Sequence, residues 1–157
     1  MRKTTGTLMA RSKREIPHYY LSTTLDVSAA QDWLRATNDR RPVSERLLFA
    51  ALALRAVILA AREVPEMNGQ WVDDEFRPAP AVHLGVAVSV RGGGLIAPAI
   101  RDADQLSLDE LMKRLRDVGR RARTGALRSS ELSDPTITVT NLGDLGVESV
   151  FGVIYPP

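Results

Sequence analysis

The sequence predicts an α+β fold, a mixed α/β sandwich formed by residues 1–157 as one unit. An apolar run of helical length extends over residues 47–61, and strand-like runs rich in valine and threonine lie at 83–90 and 136–141. These strand-like runs do not alternate regularly with helices, which favours α+β over a parallel α/β fold. The composition, 44% hydrophobic and 25% charged, is that of an ordinary globular protein.

The first part of the chain predicts helix, strand and helix in that order. Residues 2–14 can form a short basic helix, which Pro17 limits because the residue before a proline is disfavoured in helical geometry. The aromatic, threonine and leucine content of residues 19–27 predicts a strand. Ser28 is a plausible cap for the next helix.

The apolar run belongs to a long helix that we expect to be central. Ser44, followed by an acidic residue, predicts its start, and the pattern continues to Glu63 before Pro65 closes it. Short strands are predicted next, at residues 70–72 and 75–77.

A valine-rich run at residues 83–90 predicts a strand that is buried on at least one face. The RGGGL sequence that follows must turn sharply and leads into residues 95–100. Ser107 and Glu110 have the spacing of a capping box, which predicts that a helix begins there.

That helix runs to about Thr124, and Gly125 supplies its C-terminal stop. Two strands are then predicted, at residues 136–141 and 147–154. The sequence NLGDLG joins them, and its glycines permit a tight connection.

Composition excludes several classes of protein. The absence of cysteine excludes disulfides, thiolate metal sites and a cysteine nucleophile, and it fits a reducing cytoplasm. Residues 1–20 lack the apolar core of a signal peptide, and residues 47–61 fall short of the roughly 20 apolar residues that span a bilayer. We therefore expect a cytoplasmic protein with no membrane partner.

The net charge of +2 conceals a basic segment at residues 113–128, which contains seven lysines and arginines. Such a segment is typical of a solvated helix face, and an anionic partner is the alternative. Nucleic acid is the least favoured partner because no recognisable binding module accompanies the charge.

Several motifs in order carry a family resemblance: VPEMNGQW, HLGVAVSVRGGGLIAPAIRDADQLSLDEL, ARTGALRSSEL and TITVTNLGDLGVESVFGVIYPP. With the opening RKTTGTLMARSKREIPHYYLSTTLDV they cover nearly the whole chain. The sequence resembles the catalytic domain of the dihydrolipoamide acyltransferases of 2-oxo acid dehydrogenase complexes, whose fold is that of chloramphenicol acetyltransferase. This resemblance implies acyl transfer between lipoyl thiols and coenzyme A, without a metal.

The resemblance also implies a site. Family members place a hydroxyl residue just before the N-L-G turn as the donor to the oxyanion, and Thr140 occupies that position, followed by Asn141. The alternative is that Thr140 is a strand threonine chosen for β-propensity. Asn141, His18, Arg91 and Arg101 are candidates for contacts with substrate or coenzyme A. For His18, Arg91 and Arg101 the alternative is a structural or surface residue.

The family's general base is a histidine in an H-x-x-x-D-G segment. The two histidines here do not begin that pattern, because Ser22 and Ala87 stand four positions after His18 and His83. We therefore expect that the C-terminal portion of the domain is absent and that residues 1–157 are inactive alone. A non-enzymatic scaffold or regulatory relative is the alternative.

The resemblance implies further partners. Family members form a homotrimer, which can assemble into a larger cage, and they act with a lipoyl domain and with other subunits of the complex. No lipoyl or subunit-binding domain is recognisable in this sequence, so the lipoyl group would come from another domain or chain. The identity of the acyl group cannot be predicted because it depends on pocket shape.

Overall fold

The computed structural model describes residues 2–90, 94–143 and 146–154. The helices are α1 (Arg2–Glu15), α2 (Ser28–Asn38), α3 (Phe49–Glu63), α4 (Leu108–Thr124) and α5 (Ser129–Ser133). The strands are β1 (Gly69–Val72), β2 (Glu75–Pro78), β3 (Leu84–Val86), β4 (Val88–Val90), β5 (Gly94–Ile96), β6 (Ala99–Ile100) and β7 (Ile137–Val139). Short 3₁₀ turns lie at Val43–Glu45, Pro65–Met67 and Ala103–Gln105.

Strand β3 is the centre of the main sheet. It pairs antiparallel with β6 and parallel with β7, so that Leu84 stands opposite both Ile100 and Ile137. After a break at Ala87 the chain continues as β4, which pairs antiparallel with β5. Strands β1 and β2 form a separate hairpin. The predicted strand at residues 83–90 is therefore present as two shorter strands, and the α+β class is confirmed.

Helices α3 and α4 cover this sheet and form the core with it. Ile58 of α3, Leu84 of β3 and Leu111 of α4 are each fully buried and belong to one apolar cluster. Burial of a leucine or isoleucine side chain contributes about 1.5–3 kcal/mol, so the contact of α3 with α4 and β3 is a main source of stability. The long apolar helix is central, as its sequence predicts.

Helix α4 has the ends that its sequence predicts. The Ser107 hydroxyl accepts from the Glu110 N–H, and the Glu110 carboxylate accepts from the Ser107 N–H, which completes the capping box. At the other end Gly125 has φ of 72°, a left-handed conformation that glycine adopts without a steric penalty.

Two predicted strands are wrong. Residues 17–27 and 147–154 form no strand, and Tyr19, Leu21 and Leu25 are exposed. Side-chain propensity for strand is insufficient where no neighbouring backbone supplies the ladder of hydrogen bonds. The strand content of the described residues therefore lies between α3 and α4 and in β7.

Two predicted helix starts are also wrong. Ser28 does not cap α2, because its N–H and hydroxyl both bond the Asp26 carboxylate. The long helix begins at Phe49 and not at Ser44. Asn38 explains the delay, since its side chain accepts from the N–H of Leu47 and donates to the carbonyl of Leu47, which holds that residue outside the helix.

The basic segment at residues 113–128 has partners within the protein. Arg121 forms two 2.6 Å hydrogen bonds with Glu131 and one of 2.7 Å with Asp117, and Arg120 also bonds Asp117. Arg116 donates to backbone carbonyls near the start of the apolar run. Pairing of this kind supports the interpretation of a solvated helix face over that of a site for an anionic partner.

None of the helices in the described part of the chain is both long and apolar enough to cross a membrane. The turn predicted at RGGGL includes residues 91–93, which lie outside the described residues, so only its two flanking strands can be compared with the prediction.

Candidate active site

Thr140 lies immediately beyond the end of β7. The parallel pairing of β7 with β3 fixes this end, because Val139 stands opposite Val86 and its carbonyl accepts from the N–H of Ala87 at 3.0 Å. Thr140 is exposed, and its hydroxyl bonds no residue that the structure describes. A core strand therefore presents an accessible hydroxyl donor at a fixed position.

The turn after Thr140 is organised by Asn141. Its side-chain oxygen accepts from the N–H of Gly143 at 3.0 Å, and the carbonyl of Gly143 accepts from the N–H of Gly146 at 3.1 Å. An asparagine oxygen that bonds the backbone two residues later is a recurrent turn device. Residues 144 and 145 lie outside the described residues.

His18 has a different environment. Its Nδ1 lies 2.8 Å from the carbonyl of Ile16, and its Nε2 accepts from the N–H of Ile154 at 3.0 Å. Both ring nitrogens are therefore engaged by backbone groups. The predicted contact between His18 and a substrate stays a prediction, and the ring has no hydrogen bond to Thr140.

Arg101 is engaged in an ion pair. Its guanidinium bonds the carboxylate of Asp134 and donates to the carbonyl of Ser130 at 3.4 Å, which ties the end of β6 to α5. Its predicted role toward coenzyme A stays a prediction. Arg91, the other arginine proposed for that role, lies outside the described residues.

Of the candidate residues that the structure describes, only Thr140 and Asn141 lie together. No hydrogen bond or ion pair joins Thr140 to His18 or Arg101 in the described part of the structure. Thr140 also lines neither of two surface cavities, of about 350 and 420 Å³, in the described part of the structure. Chemically, the described residues offer one hydroxyl donor at the end of β7 and no adjacent acid or base bonded to it.

A buried polar network near the other end of β7 was not predicted from the sequence. Asn68 is 4% exposed, accepts from the Thr136 hydroxyl at 2.6 Å, and donates to the carbonyls of Ala79 and Ala81. The Thr136 hydroxyl also accepts from the N–H of His83. This network joins the hairpin to β3 and β7. The only signal in the sequence was an asparagine directly before the hairpin, in PEMN.

His83 also supports a strained turn. Its Nδ1 accepts from the N–H of Asp102 at 3.1 Å, and Asp102 has φ of 49°. A non-glycine residue in this left-handed region carries a steric cost that neighbouring contacts must offset. His83 is therefore a structural residue at the strand edge, and it has no hydrogen bond to Thr140.

Asp104 is another structural residue that was not predicted from the sequence. Burial would raise the pKa of its carboxyl group, but hydrogen bonds from the Val82 N–H, Arg62 and Gln105 outweigh burial and hold the pKa below its ordinary range. The ionised Asp104 thus connects α3 to the start of β3. The only sequence feature that could have indicated this role is the aspartate at the end of the IRDAD motif.

Comparison with known proteins identifies the family. The model of the 2-oxoacid dehydrogenases acyltransferase (catalytic domain) family matches residues 1–157. The chain is 33% identical over 162 residues to the dihydrolipoyllysine-residue acetyltransferase component of the pyruvate dehydrogenase complex of Rhizobium meliloti (strain 1021), covering all of this chain and 36% of that protein. The chain thus spans about a third of the length of the curated relatives that it matches.

Solved structures have the same fold. A probable dihydrolipoamide acetyltransferase from Listeria monocytogenes 4b F2365 superposes with a TM-score of 0.89 at 26% identity, covering 98% of this chain and 66% of that one. The cubic core of a pyruvate dehydrogenase multienzyme complex gives 0.89 at 23% identity, covering 99% and 65%. With a family model matched along its whole length, the chain belongs to the 2-oxoacid dehydrogenase acyltransferase family, in the region of the catalytic domain.

Proposed function

We propose that the protein transfers an acyl group between a lipoyl thiol and coenzyme A, with Thr140 as the donor to the oxyanion. The observation that carries the proposal is the Thr140 hydroxyl, which is exposed, unbonded among the described residues and fixed at the end of β7. Family membership over the whole chain supports the same reaction.

In this reaction a thiolate attacks the carbonyl carbon of an acyl thioester. The carbonyl oxygen becomes an oxyanion while the new carbon–sulfur bond forms, and collapse of the tetrahedral intermediate expels the original thiolate. A hydroxyl that donates to the oxyanion stabilises this intermediate more than the ground state. Thr140 would supply that donor, and the Asn141 turn would hold it in position.

The general base is proposed to come from a residue outside 1–157. Neither histidine bonds Thr140, and the Nδ1 atoms of both rings are engaged by backbone groups. The proton that leaves the attacking thiol would therefore pass to a group supplied by another segment or subunit.

The same proposal includes the assembly and the substrates. Coenzyme A and a lipoyl group would be substrates and not resident cofactors, and the lipoyl group would be supplied by another domain or chain. The cubic core among the structural neighbours supports a trimer that assembles further, together with other subunits of a 2-oxo acid dehydrogenase complex. A cytoplasmic location is consistent with the absence of cysteine.

The test is acetyl transfer from acetyl-CoA to dihydrolipoamide by the intact gene product and its variants. We expect the wild type and Thr140→Ser to be active, because both keep a hydroxyl. Thr140→Val keeps the shape but removes the donor, and its kcat should fall by about 10²–10³. Thr138→Val is the matched control, since it removes a hydroxyl two residues earlier and should keep wild-type activity.

Two outcomes would overturn the proposal. Full activity of Thr140→Val would remove Thr140 from the reaction while leaving acyl transfer in place. A folded wild-type assembly that transfers no acetyl or other acyl group to dihydrolipoamide would instead favour a non-enzymatic scaffold or regulatory relative.

A further inference from the structure

Residues 151–154 are held against the N-terminal part of the chain by side chains. The fully buried Ser12 on α1 donates to the carbonyl of Ile154 at 2.6 Å, and His18 accepts from the N–H of the same residue at 3.0 Å. Tyr20 donates to the carbonyl of Gly152 at 3.2 Å. Both backbone groups of Ile154 thus depend on side chains and not on a strand ladder.

An aromatic contact accompanies these hydrogen bonds. The rings of Tyr20 and Phe151 meet edge to face with centroids 5.4 Å apart, a favourable geometry for aromatic pairs. Residues 151–154, which lie in the range wrongly predicted to be a strand, are therefore docked by side-chain contacts.

The hydrogen bonds of His18 define its tautomer. A carbonyl oxygen only accepts, so Nδ1, 2.8 Å from the carbonyl of Ile16, carries the ring proton. A backbone N–H only donates, so Nε2 must offer a lone pair to Ile154. Only the neutral imidazole with its proton on Nδ1 satisfies both bonds.

We propose that His18 is a pH-sensitive latch that holds residues 151–154 in place when neutral and releases them when protonated. Protonation places a hydrogen on Nε2, so the ring becomes a double donor and can no longer accept from Ile154. The N–H of Ile154 then has no acceptor, and two donors face each other. The latch is therefore closed while the ring is neutral and opens when the ring takes up a second proton.

The groups around the ring do not substitute for the lost bond. From α1, Lys13 bonds the Tyr20 hydroxyl at 2.5 Å and lies 5.1 Å from the centroid of that ring. Tyr20 is the titratable neighbour from the segment after α1, with its ring centroid 6.2 Å from that of His18. Residues 151–154 contribute no titratable side chain. No carboxylate within the described ranges bonds His18, so no nearby acceptor stabilises the protonated ring in the closed arrangement.

The test is hydrogen exchange of the Ile154 amide in the intact protein between pH 5 and pH 8, corrected for the intrinsic pH dependence of exchange. Wild-type protection should fall by about tenfold from the neutral to the acidic end, the scale of one lost hydrogen bond. In His18→Gln the side-chain oxygen can still accept and cannot be protonated, so protection should be independent of pH. His83→Gln removes the only other histidine and should keep the wild-type pH dependence.

Ring-nitrogen NMR of the wild type provides a measurement that needs no variant. At pH 7.5 the Nε2 of His18 should have the shift of an unprotonated nitrogen. A protonated Nε2 at that pH, or Ile154 protection that stays constant between pH 5 and pH 8, would overturn the latch. Either result would leave the proposed acyl transfer untouched, because the latch does not rest on that function.

Discussion

Thr136 and Thr140 flank β7, and their hydroxyl groups have different environments. The Thr136 hydroxyl is saturated by Asn68 and His83, whereas that of Thr140 is exposed and unbonded among the described residues. Strand periodicity predicts that they share a face but cannot predict which one meets a buried partner, because Asn68 lies 68 positions from Thr136. The family resemblance, and not the pattern, singled out Thr140.

Asn68 is predicted to be the more important of two asparagines for stability. Asn68→Ala leaves the Thr136 hydroxyl and two carbonyls without their partner in a buried region, so the free energy of unfolding should fall by about 2–4 kcal/mol. Urea unfolding measures the change. The control is Asn141→Ala, whose exposed side chain makes one hydrogen bond and should lower stability by less than about 1 kcal/mol. Equal losses in the two variants would contradict this role for Asn68.

At the scale of elements, local sequence signals predicted the ends of α4 correctly. Strands that depend on pairing between distant parts of the chain were predicted poorly. The capping box at Ser107 and the stop at Gly125 depend on groups within a few residues, and both are confirmed. Residues 19–27 have strand composition, but a strand exists only where a second backbone pairs with it. The late start of α3 has the same cause, because Asn38 reaches Leu47 across the intervening turn.

Two glycines of the same region should respond to alanine in opposite directions. Gly125 has φ of 72°, and a Cβ there meets no atom of the described residues within 4 Å, so Gly125→Ala should lower stability by about 1 kcal/mol through backbone strain alone. Gly119 lies within α4, where a Cβ would meet the Arg123 side chain at an ordinary 3.8 Å, so Gly119→Ala should raise stability by about 0.5–1 kcal/mol. Thermal unfolding of both variants checks the signs, and the same sign for both would refute the explanation.

The ion pair between α4 and α5 should make stability depend on acid pH. Hydrogen bonds from Arg121 lower the pKa of Glu131 from 4.5 to about 2. Because the folded pKa lies below the unfolded one, the contribution is complete above the unfolded value and is lost as pH falls toward 2. Glu131→Gln should therefore cost about 1–3 kcal/mol at pH 7, and the difference from wild type should shrink below pH 4.5.

Urea unfolding at a series of pH values measures this difference. The control is Asp32→Asn, which removes an exposed pair with Arg35 and should change stability little at any pH. A Glu131→Gln difference that stays constant from pH 7 to pH 3 would show that the ionised pair does not stabilise the contact of the two helices.

At the scale of the whole molecule, the fold class and the family could be predicted, because motifs such as GLIAPAIRDAD and TNLG are local and specific in combination. The arrangement of the site could be predicted only in part. Thr140 and Asn141 are adjacent in the chain and lie together, but the positions of His18 and Arg101 depend on Ile154 and Asp134, which are distant in sequence. Side chains that make such long-range contacts follow no periodic pattern in the sequence, so the contacts cannot be predicted from it.

The role proposed for the Thr140 hydroxyl in acyl transfer can be tested by a single comparison of variants. The most direct measurement is the kcat of Thr140→Val relative to Thr138→Val, for acetyl transfer to dihydrolipoamide by the intact protein. We expect the kcat of Thr140→Val to be about 10²–10³-fold below that of Thr138→Val, with activity restored in Thr140→Ser. Equal kcat values for the two valine variants, in proteins of equal stability, would contradict it.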